Sequence, residues 1–225
     1  MLTRVVAVLV TPGMAGAAPP GVDPAEFLTA MAEDTYEMIA GLELVRPVIL
    51  SAGVPGLAEI AWPGTPVLPI GSPTGAFAAL AALSEARADE AGPDEARADE
   101  ARADEAGADE AGAETADEAV VVSGDAPDLP PLLIGKLFRE LGRANLAVCP
   151  AEGGGAVAVA ARLPVPGWAA PDLDEPDVVA AMRRRAPGPR MVATGPGWHR
   201  LRKPEDVTRL DPGLEGWDNT RALLM

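Results

Sequence analysis

Along this chain, short uninterrupted apolar runs alternate with longer segments in which apolar residues recur every three to four positions. The first run, residues 4–10, is apolar without alternation, which predicts a strand buried on both faces. After a Pro/Gly/Ala loop over Thr11–Gly21, Asp23 and Pro24 carry a cap and first-turn signal for a helix. Phe27, Ala30, Met31, Met38 and Ile39 line its apolar side, and Gly41 ends it. Leu44–Leu50 predicts a second strand, Gly56–Ala61 a short helix and Pro66–Ile70 a third strand. Pro73–Ser84 predicts a helix with Phe77, Leu80 and Leu83 on one side.

The pattern resumes at Ala119–Ser123 with another buried strand. The turn 124–130 then leads into a helix over Pro131–Arg143 that places Leu133, Leu137, Phe138 and Leu141 on one face. Strands follow at Ala144–Cys149 and Ala156–Ala161, joined by a glycine-rich turn. A helix over Glu175–Arg185, short strands at Met191–Ala193 and Trp198–Leu201, and a helical turn at Pro204–Leu210 complete the order. Such alternation predicts a single α/β domain with a mostly parallel sheet covered by helices on both faces. The segments 1–85 and 119–212 supply that domain, and 213–225 forms a C-terminal tail. The tail's Leu214, Trp217, Leu223 and Leu224 fit either packing back on the domain or meeting a second subunit.

Between the two halves, residues 86–118 repeat in pentads such as Ala-Arg-Ala-Asp-Glu. Five residues advance a helix by about 140° beyond a full turn, so the charges spread around the axis and no apolar stripe forms. The expectation is a solvated or disordered insertion, with an acidic docking arm as the alternative. It also changes how the net charge of −16 is read. Residues 86–119 carry 13 acidic and 3 basic side chains, so the remainder is only mildly acidic, at −6. No broad basic face is evident, which argues against a nucleic-acid partner. A single cysteine, Cys149, excludes an internal disulfide and a cysteine-based metal cluster. No apolar run has the length of a membrane span, and the residue 4–10 run is short for a signal core, so the expected compartment is the cytoplasm.

Candidate chemistry gathers at Gly124-Asp125-Ala126-Pro127-Asp128-Leu129-Pro130. A carboxylate at the C-terminal end of a parallel strand stands where open α/β sheets bind ligands. Asp125 there could hold a hard divalent cation such as Mg²⁺ or Mn²⁺, and through it a diphosphate. Gly124 lets the backbone come close, while Asp128 is either the cap of the next helix or a second ligand. His199, Arg200, Arg202 and Lys203 place four potential cations within five residues, suited to a phosphate or to local acids. No Gly-x-Ser-x-Gly elbow accompanies any serine, and Cys149 reads as a small buried residue. Trp168, Trp198 and Trp217 either stack on a ligand or anchor loops to the core.

Val120–Pro130, then Cys149-Pro150-Ala151-Glu152-Gly153-Gly154, then Pro204-Glu205-Asp206-Val207 occur in a recognisable order and spacing. Over residues 119–210 the chain resembles the bacterial domain-of-unknown-function family 2064, glycosyltransferase-like proteins with the GT-A nucleotide-diphospho-sugar transferase fold. The resemblance implies that fold, a nucleotide or nucleotide-sugar partner, and Asp125, Glu152, Gly153 and Gly154 as residues around the ligand; Arg200, Arg202 and Lys203 are this chain's own further candidates for binding its phosphate. Three departures accompany it. The loop Thr11–Pro24 lacks the family's basic residue, Glu152 is shifted by one position, and Arg202-Lys203 replace the Asp-Thr before Pro-Glu-Asp. A cation beside Asp125 either repels a metal or pairs with the carboxylate. Three readings stay open: a catalytically altered or inactive transferase homologue, an active metal-dependent glycosyl- or nucleotidyl-transferase, and a non-enzymatic scaffold.

Overall fold

The computed structural model describes residues 4–86 and 118–225; the acidic repeat falls almost wholly outside them. Among the described residues seven strands form one sheet: β1 (Arg4–Val10), β2 (Arg46–Ser51), β3 (Val67–Pro69), β4 (Glu118–Ser123), β5 (Leu146–Pro150), β6 (Ala156–Arg162) and β7 (Val192–Thr194). Their spatial order is β3-β2-β1-β4-β6-β5-β7. All neighbours pair in parallel except β6, which runs antiparallel between β4 and β5. The reversal follows from the tight turn that joins β5 to β6 as a hairpin.

Buried strand residues divide by parity, as a two-residue period requires. Val6, Val8 and Val10 of β1 join Val120 and Val122 of β4 on one face, while Val5, Ala7, Leu9, Ala119 and Val121 lie on the other. Helices α1 (Pro24–Ala40) and α3 (Pro131–Leu141) cover the first face through Phe27, Met31, Ile39, Ile134 and Leu137. Helix α2 (residues 76–86) and helix α4 (Val178–Arg185) cover the second through Phe77, Leu80, Ala181 and Met182. The expectation of a mostly parallel sheet with helices on both faces therefore holds.

A local signal accounts for the start of α1. Asp23 accepts hydrogen bonds from the backbone N–H groups of Ala25 and Glu26, and Pro24 opens α1. Three expectations need correction. Residues 56–61 form turns instead of a short helix, because Gly56 at φ +80° leaves too few residues to nucleate one. Part of the Thr11–Gly21 loop is a 3-10 helix, Pro12–Ala17. The segment 198–201 makes only an isolated bridge, Ala151 to Trp198: Trp198 N–H reaches the end of β5 at Pro150 O, but by Leu201 the backbone donates to Asp125 O.

The tail folds back onto the domain as helix α5 (Asp218–Ala222), with Trp217 buried. Its N-terminus is capped from a distance: fully buried Asp34 of α1 accepts hydrogen bonds from the N–H groups of Asn219 (3.0 Å) and Thr220 (2.8 Å). Burial raises the Asp34 pKa above its ordinary 3.8, although those hydrogen bonds work to lower it. Its contribution to stability is therefore full below that ordinary value and declines as pH rises through the higher folded-state value. Asp34→Ala leaves two helix N–H groups without acceptors. The expected loss is about 1–3 kcal/mol by denaturant unfolding, with early proteolysis of the tail. An unchanged midpoint and an intact tail would show that α5 is held by apolar packing alone.

Candidate functional site

The chain leaves β1 for β2 on one side, and β4 lies on the other, so the ends of β1 and β4 border a topological switch point of the sheet. Gly124 brings the end of β4 against β1. Its N–H donates to Leu9 O at 2.9 Å, and a Cβ here would meet that oxygen at 3.1 Å and Val8 and Val10 side chains at 3.3 Å. This close approach fixes Asp125 just beyond the strand, where it is 1% exposed.

Both oxygens of Asp125 face Arg200. Nε donates to Oδ1 at 2.7 Å and Nη2 to Oδ2 at 3.0 Å, a bidentate ion pair. The third nitrogen, Nη1, donates to Asp174 Oδ1 at 2.7 Å and to the carbonyls of Ala156 and Leu173 at 3.2 and 3.3 Å. Burial works to lower the Arg200 pKa, but the charges and hydrogen bonds of Asp125 and Asp174 outweigh it, so the guanidinium is held above its ordinary value. It is a permanent cation at any physiological pH.

The residue that meets Asp125 is thus Arg200, two positions before the Arg202 that the sequence pattern puts at the second acid. The reason lies in the extended segment 198–202. Leu201 N–H donates to Asp125 O at 2.8 Å, which docks the segment beside the turn, and alternate side chains then share a side. Arg200 reaches inward, and Arg202 follows it toward solvent. The Arg202 guanidinium approaches Asp174 Oδ1 at 3.8 Å, and its side chain is 37% exposed. Burial and the adjacent Arg200 charge push its pKa down.

Two cavities flank these arginines. One, of about 210 Å³, is bounded by Thr11, Gly13, Met14, Asp125, Asp174 and the two arginines. The other, of about 480 Å³, is shaped by Arg202, Lys203, Arg209, Glu152 and Gly153. Glu152 pairs with Arg209 at 3.1 Å and lines this second cavity, not the one that Asp125 borders. Gly154 packs under Pro176, while its neighbour Gly155, at φ +75°, closes against Leu173 O and the Arg202 side chain.

Asp128 is not the cap of α3, whose N-cap is Pro130 with no side-chain hydrogen bond. It lies two residues too early, and Pro130 and Pro131 offer no N–H. Instead it is buried and accepts from Trp198 Nε1 and Asp211 N, both at 3.1 Å, with His199 Nε2 3.0 Å away but not aligned for a hydrogen bond. Trp198 stacks on His199, so this cluster braces the 198–202 segment against the turn, and the second-ligand role has no free oxygen to use. Cys149 is inert: burial pushes its thiol up to about 12.

Sequence reasoning missed Asp174 and Arg209. Asp174 sits in an acidic loop with nothing local to mark it, and it reaches Arg200 only because the turn 151–155 carries that loop over the strand ends.

The donor set does not suit a divalent cation. Among the described residues no group of three or more His, Cys, Asp or Glu side chains converges, and both oxygens of Asp125 are paired with a guanidinium that would repel the ion. No helix among the described residues is long and apolar enough to cross a membrane.

No protein-family profile matches the chain, and no curated protein is similar to it in sequence. Solved structures are similar in fold. A protein from Desulfovibrio desulfuricans G20, described as a candidate nucleotide-diphospho-sugar transferase, superposes with a TM-score of 0.57 at 16% identity, covering 100% of this chain and 97% of its own. Rv0371c from Mycobacterium tuberculosis H37Rv, in complex with manganese, gives 0.52 at 15% identity, covering 100% and 99%. A 4-diphosphocytidyl-2C-methyl-D-erythritol synthase gives 0.53 at 14% identity, covering 100% of both chains. With the switch-point cleft and its strand order, these similarities establish the fold of this chain as GT-A-like, that of nucleotide-diphospho-sugar transferases.

Proposed function

We propose that this protein is a GT-A-like glycosyl- or nucleotidyl-transferase homologue, of the kind found in domain-of-unknown-function family 2064, whose metal-dependent chemistry has been lost. Its cleft binds a phosphorylated ligand, a nucleotide or nucleotide sugar, without a divalent cation. The observation that carries this reading is the bidentate Arg200–Asp125 pair. In metal-dependent phosphoryl chemistry the cation neutralises the diphosphate and is held by carboxylates. Here a guanidinium occupies the carboxylate, so the positive charge at that point is built into the chain. Arg202 and Lys203, lining the cavities beside it, are the groups that face a ligand phosphate.

Calorimetry of the full chain with nucleotides and nucleotide sugars tests the reading. The expected result is binding of at least one phosphorylated ligand that survives excess EDTA and does not strengthen with Mg²⁺ or Mn²⁺. Binding or turnover that requires either cation would reinstate the metal-dependent transferase. Absence of binding across the panel would leave the non-enzymatic scaffold.

A further inference from the structure

Asp174 holds a position that is unusual for a surface acid. Its side chain is 58% exposed, yet one oxygen, Oδ1, lies 2.7 Å from Arg200 Nη1 and 3.8 Å from Arg202 Nη2. The two arginines are of like charge and adjacent, and Asp125 neutralises only one of them. With Asp174 in place the four groups balance; without it one positive charge is left facing the 210 Å³ cavity. That cavity is smaller than the roughly 300–1,000 Å³ of a pocket for a whole drug-sized ligand, so it suits a single oxyanion group. The rest of its lining comes from the 3-10 turn after β1, through Thr11, Gly13 and Met14. Asp174 is also the more dispensable partner of Arg200, because Nη1 has two carbonyl acceptors besides it. The Arg202 side chain is held over this point by Gly155, whose missing Cβ leaves room for Nη2 at 2.6 Å from where that carbon would stand.

We infer that Asp174 is a built-in anion mimic, occupying the Arg200–Arg202 bridge that a ligand's phosphoryl group takes when it binds, and that the ligand displaces it. This inference rests on the metal-independent reading of the cleft. A phosphoryl oxygen offers the two guanidinium groups the same charge and a better-matched set of acceptors than one carboxylate oxygen at 3.8 Å. Asp174 therefore lowers affinity for the anion and keeps the two arginines from repelling one another when the cleft is empty.

The test is calorimetry of the full chain with inorganic pyrophosphate in excess EDTA, comparing the wild type with Asp174→Asn, Arg202→Gln and the double variant. The inference expects Asp174→Asn to bind at least about tenfold more tightly than the wild type, with the gain lost in the double variant. Parallel titrations with a nucleoside diphosphate and a hexose phosphate show which molecule carries the phosphoryl group, since only the natural carrier should add affinity beyond pyrophosphate. Asp174→Asn binding no tighter than the wild type overturns the inference, as does a gain that persists without Arg202. A wild type that binds only with Mg²⁺ overturns the metal-independent reading instead, so the two failures are distinct. Thermal midpoints of the variants, measured beside the titrations, confirm folding; Asp174→Ala serves as a second variant with the same expected gain.

Discussion

Arg200→Met is expected to lower folding stability by about 3–5 kcal/mol, a fall in thermal midpoint of roughly 6–20 °C for a chain of this size. The side chain is 4% exposed and that of its partner Asp125 2%, so removing the guanidinium strands a carboxylate away from water. It also takes one donor from the Ala156 and Leu173 carbonyls, the contacts by which Arg200 ties the β6 start and the 172–177 loop to the site. The double variant Arg200→Met/Asp125→Leu should recover most of the loss, because the cost of a broken buried pair lies mainly in the charge left behind. Urea unfolding of the four proteins in the cycle gives the coupling directly. A single-variant loss below about 1 kcal/mol would mean that the pair is solvated in solution, and with it the argument that Asp125 is closed to a metal would go.

The second large effect is expected at Gly155. Its φ of +75° is a backbone conformation that alanine rarely adopts. A Cβ there would stand 2.5 Å from Leu173 O and 2.6 Å from Arg202 Nη2. The arginine can swing away, but the carbonyl belongs to backbone that also receives the Ala156 N–H at 2.8 Å. Backbone strain of about 1–3 kcal/mol and overpacking of about 1–3 kcal/mol act together in Gly155→Ala, so a loss of about 2–6 kcal/mol is expected in the same unfolding assay. Gly153→Ala is the control: its φ is also positive, at +84°, but no atom lies within 4 Å of the added carbon. It should lose only the conformational part. Equal losses in the two variants would show that crowding at residue 155 is relieved without cost.

Asp128 shows why reading a residue's role from its neighbours in sequence goes astray. An acid shortly before a helix is a common cap, and the helix after it does form. Which N–H groups it meets depends on the path of the chain through Pro130 and Pro131, and that path turns its carboxylate toward Trp198 and Asp211, 70 and 83 residues away. The tail is similar. Its apolar residues were visible, but that Asp34 caps its helix from 185 residues away could not be read from either segment.

What the sequence determined by itself is what rests on local chemistry and periodicity. Uninterrupted Val and Ala runs make β1, β4 and β6, helical spacing makes α1 and α3, and Asp23 and Pro24 begin α1. The order of these elements also implies a mostly parallel sheet with a cleft beside Asp125. Only the tertiary structure decided the state of that cleft. Arg200, Asp125 and Asp174 come from three separate segments, and which of two neighbouring arginines faces the carboxylate depends on how an extended strand-like segment docks beside the turn. Charge and spacing placed a cation near the site. Burial, which turns a surface pairing into one that the fold depends on, is a property of the assembled layers, and no single segment carries it.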